Sequence, residues 1–142
     1  MARLLKSAGR VRLVVAFVSL LGGVCSLQVL ALQVGSVLDG VFTVSQADEG
    51  RQVFSNACSS CHDSDEFTGG RFRLRWLGQS VGDLFDTIST LMPESDPGSL
   101  NPREYSALVA HLLHLNGYPT GDVPLPTNLR ELRDIQILSL PR

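Results

Sequence analysis

Hydrophobic positions along this chain fall into blocks of different period. Leu13 to Val24 is almost continuously apolar and follows Arg3, Lys6, Arg10 and Arg12, a basic stretch leading into an apolar one as in export leaders. Val29-Leu30-Ala31 offers a small-residue cleavage pattern, while apolar residues continue to Val34. Residues 1–31 therefore read as a signal peptide or an uncleaved N-terminal anchor, although Gly22, Gly23, Ser26 and Gln28 make the run a mediocre membrane span. Residues 32–44 form an N-terminal arm.

Beyond the arm the periods are helical. A first helix is predicted to open at Ser45 as N-cap, with Asp48 and Glu49 in its first turn and Val53 and Phe54 on its apolar side, and to end at Ala57. Residues 63–79 mix Asp, Ser, Thr and Gly around Phe67, Phe72 and Trp76 without a regular period, which predicts a loop wrapped around something apolar. Leu84, Phe85, Ile88 and Leu91 form the stripe of a helix over Val81 to Leu91, stopped by Met92-Pro93. The best-marked helix has Asn101 as N-cap, Pro102 at its first position, Glu104 in its first turn and Gly117 as its stop. Tyr105, Leu108, Val109, Leu112 and Leu115 supply its buried face.

Pro119, Pro124 and Pro126 then keep the chain extended until a short helix from Leu129 to Asp134. The principal domain is placed at residues 45–117, with residues 118–142 a C-terminal extension packing on it. No strand pattern competes, so the fold class is all-α, three main helices with long loops.

With 142 residues, 44% hydrophobic and 18% charged, the chain has room for one ordinary globular domain. So loop-rich a domain has little core for its surface, a shortage that a large apolar prosthetic group at its centre relieves. Removing residues 1–31 takes four of the twelve basic residues and none of the fourteen acids, leaving a formal balance of −6. An acidic mature surface argues against nucleic acid, whose phosphates require a basic face, and favours a partner with a positive docking patch.

Of the three cysteines, Cys25 lies in the leader, which leaves Cys58-Ser59-Ser60-Cys61-His62. Two thiols two residues apart, followed at once by histidine, point to covalent haem attachment: one helical turn sets both sulfurs along a porphyrin edge, with His62 beneath the ring as an iron ligand. A zinc half-site would lack its second ligand pair, and a redox dithiol would want a βαβ setting. For the other axial position Met92 is the candidate, since the remaining methionine is Met1; a soft thioether favours ferrous iron. His111 and His114 are the rivals, but both lie inside the last main helix, where His111 is expected to pack on the first helix and His114 to face solvent. Arg71, Arg73 and Arg75 alternate with Phe72, Leu74 and Trp76; the haem propionates need neutralising, and Trp76 and Arg75 are the favoured groups.

Gly50, Phe54, Cys58, Cys61, His62, Met92, Pro93 and Leu108 together resemble the class I cytochrome c family over about residues 45–117. The resemblance implies a cytochrome c-like fold around one covalently bound haem c, with the first and last main helices crossing closely at Gly50. Two departures stand out: a Gly-Pro pair that often supplies a carbonyl to the proximal histidine is here Gly69-Gly70, and His111 stands where an aromatic is common. Ser36 to Thr43, Gly82-Asp-Leu-Phe, Met92-Pro, Asp96-Pro-Gly-Ser and Leu115-Asn-Gly-Tyr-Pro resemble small cytochromes that accompany quinoprotein dehydrogenases. This implies a periplasmic single-electron carrier, not itself an enzyme, reduced by a quinoprotein alcohol or sugar dehydrogenase and oxidised by a terminal oxidase or another cytochrome. The alternatives are a haem sensor or peroxidase-like protein with a displaceable sixth ligand, and a membrane-tethered cytochrome subunit of an oxidase or dehydrogenase complex.

Overall fold

The structure, a computed structural model, describes residues 35–141; the leader expected over residues 1–31 lies outside the described residues. In chain order it contains β1 (Gly35–Ser36), α1 (Val44–Ala57), α2 (Gly69–Trp76), α3 (Val81–Leu91), α4 (Pro102–Leu115), α5 (Leu129–Arg133) and β2 (Ile135–Gln136), with 3-10 turns at Val37–Asp39 and Ser64–Phe67. The architecture is all-α, as the periodicity predicts.

Capping chemistry sets most of the helix boundaries. Thr43, not Ser45, caps α1: its Oγ1 accepts the Gln46 N–H at 3.1 Å, so the helix opens before the expected position. Ser80 and Asp83 close a reciprocal box on α3, and Asn101 with Glu104 does the same for α4. The left-handed backbone at Gly117, φ 79°, lets the chain turn away where α4 ends.

Two elements differ from expectation. The predicted loop over residues 63–79 contains the 3-10 turn and α2, giving, among the described residues, four helices of eight residues or more where three were expected. Phe72 and Trp76, four apart, bury one side of α2 and hold it helical, while Leu74 is 91% exposed and blurs the stripe in the sequence. The two-residue parallel pair β1–β2 is too short to leave an alternating pattern.

At the centre of the fold α1 crosses α4. Gly50 permits this, since a Cβ there would overlap the Ala107 carbonyl and lie 2.9 Å from His111 Cβ. The segment after α4 closes over the core. Leu125, Leu132 and Ile137 are buried, and the Gln46 amide ties the two ends, donating to Ser106 Oγ and to the Leu125 carbonyl and accepting the Leu125 N–H. Among the described residues no helix is long and apolar enough to cross a membrane.

Candidate functional site

The last turn of α1 carries directly into the cysteine motif. Cys58 N–H donates to the Phe54 carbonyl at 2.9 Å, and Cys61 and His62 N–H both return to the Cys58 carbonyl, at 3.1 and 3.0 Å. This tight turn aligns Cys58, Cys61 and His62 along the wall of a cavity of about 740 Å3. Phe72 and Trp76 of α2, Leu84, Ile88 and Leu91 of α3, and Leu108 and Leu112 of α4 supply most of its apolar lining.

Met92 also lines the cavity. It ends α3, its N–H donating to the Ile88 carbonyl at 2.9 Å, and its own carbonyl accepts the Tyr105 hydroxyl at 2.7 Å. The turn that delivers Met92 is thus pinned from α3 and from α4. Trp76 and Arg75 line the same cavity, the Arg75 guanidinium 5.1 Å from the Trp76 ring centroid in a cation–π contact. All six residues singled out in the sequence, Cys58, Cys61, His62, Trp76, Arg75 and Met92, therefore meet at one cavity.

The rival histidines lie elsewhere. His111 is buried against α1, its ring centroid 5.9 Å from that of Phe54, and His114 is exposed beside Phe42; neither lines the cavity. Burial, with help from Arg51, holds the His111 imidazole below its ordinary range. The three arginines divide as well: Arg71 and Arg75, one helical turn apart, line the cavity, whereas Arg73 lines a separate cavity of about 760 Å3 beside the C-terminal tail. That second cavity contains none of the thiol, imidazole or thioether groups.

Sequence reasoning missed Glu66. Its Oε2 lies 3.3 Å from His62 Nδ1 and its Oε1 accepts the Asp63 N–H at 3.3 Å. The signal available was the four-residue spacing from His62, hidden because residues 63–79 read as a loop. Phe67 meets the His62 ring edge-on, with centroids 5.3 Å apart. With Nδ1 engaged, Nε2 is the imidazole nitrogen available to a metal.

The donor set fits a haem. Two free thiols, an imidazole, a thioether and two guanidinium groups surround an apolar volume within the usual size of a cofactor site. Among the described residues no three His, Cys, Asp or Glu side chains converge as they would around a bare metal ion. Burial raises the Cys58 thiol above its ordinary value, the reverse of the depression that activates a redox dithiol.

Residues 45–112 match the family described as cytochrome C oxidase, cbb3-type, subunit III. No curated protein and no solved structure matches the chain. The matched stretch opens in α1 and closes within α4, and it contains the cysteine motif and Met92.

Proposed function

We propose that this chain, whose residues 45–112 match a c-type cytochrome family, is an exported single-electron carrier of the class I cytochrome c type, with one haem held covalently on Cys58 and Cys61. His62 Nε2 and the Met92 thioether are the iron ligands. The observation that carries this reading is the convergence of Cys58, Cys61, His62 and Met92 on one apolar cavity.

Bound haem supplies one-electron chemistry at its iron. The protein's residues determine how that chemistry is used. Cys58 and Cys61 would hold the porphyrin by thioether bonds and so keep His62 beside the iron in both redox states. As an iron ligand the Met92 thioether would favour the ferrous form and keep oxygen and substrates off the metal. Arg71, Arg75 and the Trp76 indole line the cavity and would neutralise and hydrogen-bond the haem propionates, and its apolar walls exclude water, which lowers the local dielectric. The donor is a quinoprotein alcohol or sugar dehydrogenase and the acceptor a terminal oxidase or another cytochrome, in the periplasm; support comes from the segments around Ser36, Gly82, Asp96 and Asn116 noted in the sequence.

A second reading is favoured by the matched family, described as an oxidase subunit: the chain is a subunit of an oxidase complex, tethered through residues 1–31. N-terminal sequencing and membrane fractionation of the mature protein separate the two readings.

The central test is expression in cells that mature c-type haem. Cys58→Ser with Cys61→Ser is expected to abolish covalent haem. Met92→Ala is expected to retain it while lowering the potential and admitting carbon monoxide, which the wild-type ferrous protein is expected to refuse. An unchanged potential in Met92→Ala removes Met92 from the ligand set, and carbon monoxide binding by the wild type favours a haem sensor. Reduction of the oxidised protein by a quinoprotein dehydrogenase checks the donor.

A further inference from the structure

His62 is gripped from the side away from the iron-binding nitrogen. Glu66 Oε2 lies 3.3 Å from Nδ1, and the carboxylate is itself fixed, because its other oxygen accepts the Asp63 N–H at 3.3 Å and closes a capping box on the turn Ser64–Phe67. Phe67, the last residue of that turn, packs its ring edge-on to the imidazole, with centroids 5.3 Å apart. Asn116 anchors the turn to the end of α4: its Nδ2 donates to the Phe67 carbonyl at 2.8 Å, and its Oδ1 accepts the Gly69 N–H at 3.0 Å. The Asn116 contacts engage the backbone at Phe67 and Gly69, the very region where the Gly-Pro pair of relatives is replaced.

We propose that Glu66 is the positioning residue of the proximal histidine, its carboxylate accepting the Nδ1–H of His62 and biasing the bound iron toward the ferric state. This rests on the reading of His62 as an iron ligand. A ligating imidazole whose other N–H meets an acceptor is held in one tautomer and one ring orientation. When that acceptor is an anion the hydrogen bond is roughly twice as strong as to a neutral group, and the imidazole becomes a better electron donor. Ferric iron carries one more positive charge than ferrous and gains more from that donation. Glu66 therefore opposes Met92: the thioether raises the potential and the carboxylate lowers it.

The test uses the mature holoprotein. Glu66→Gln keeps an oxygen in reach of Nδ1 but removes the charge, and is expected to retain covalent haem while the ferric-to-ferrous balance shifts about tenfold, which is ~59 mV upward for one electron. Asp65→Asn removes the same charge from an exposed neighbour that makes no contact with His62, and is expected to move the potential by less than half as much. A potential that stays or falls in Glu66→Gln, or an equal rise in Asp65→Asn, overturns the proposal. Should Glu66→Gln not retain haem, nitrogen-edited NMR of the reduced wild type gives the answer: a His62 Nδ1–H protected from exchange upholds the bond, and one exchanging at the free rate overturns it. Failure of the underlying ligand assignment is read separately, as a wild-type optical spectrum lacking histidine coordination.

Discussion

Gly50→Ala tests the packing on which the site is mounted. Gly50 lies within α1 and is buried against α4. An added Cβ would overlap the Ala107 carbonyl and stand 2.9 Å from His111 Cβ, where ordinary contact begins at 3.4 Å. The carbonyl is helical backbone, so no rotamer change relieves the overlap and α1 must move away from α4. Overpacking of this kind costs about 1–3 kcal/mol, and a rigid backbone partner selects the upper end. Alanine's better helix propensity returns about 1 kcal/mol, leaving a net loss of about 2 kcal/mol. For a domain of about 100 residues that lowers Tm by roughly 10 °C. Gly70→Ala in α2 is the matched control, because nothing lies within 4 Å of its added Cβ; it should be neutral or stabilising by up to about 1 kcal/mol. Thermal and denaturant unfolding of both holoproteins, followed by circular dichroism, gives the comparison. Equal behaviour of the two variants, or a Gly50→Ala protein as stable as wild type, refutes the close crossing.

Three other outcomes follow from particular contacts. Tyr105→Phe removes the hydroxyl that donates to the Met92 carbonyl at 2.7 Å, and should cost about 1 kcal/mol and release the sulfur–iron charge-transfer band at lower temperature than in wild type. Gln46→Leu strands the buried Leu125 N–H, which now donates to Gln46 Oε1 at 2.8 Å, and should cost about 1–3 kcal/mol in denaturant unfolding. His111 is held below its ordinary 6.5, first by burial and then by Arg51 and His114, against a pull upward from Asp48. Below pH 6.5 the unfolded chain takes up a proton that the native imidazole refuses, so this contribution to stability is complete above that pH and declines as the pH falls toward the depressed native value. His111→Phe should flatten the slope of stability against pH between 6.5 and the acid side, measured by denaturant midpoints.

The haem motif was legible without coordinates because Cys58, Cys61 and His62 are near neighbours in the chain, and their register follows from a single turn. The limits of α3 and α4 were legible for a similar reason. Asn101, Pro102, Glu104 and Gly117 act on the backbone within a few residues of themselves, so their effects can be read locally. Met92 emerged by elimination and by its place at a helix end before Pro93; what the sequence does not display is the bond that ties its carbonyl to Tyr105, thirteen residues later in α4.

Tertiary structure decided the rest. α2 exists because Phe72 and Trp76 find a core to bury against, and isolated from that core its glycines and fully exposed Leu74 argue for a loop. The same contacts place Arg71 beside the favoured Arg75 on the cavity and divide both from Arg73, a division the alternating pattern of the sequence does not display. Glu66 became a partner of His62 only when the intervening residues closed into a turn stitched to Asn116, fifty residues further on. Caps and periodicity are free-energy differences paid within one turn, so the chain displays them; the cavity arises from four helices excluding water together, and no single segment encodes that sum.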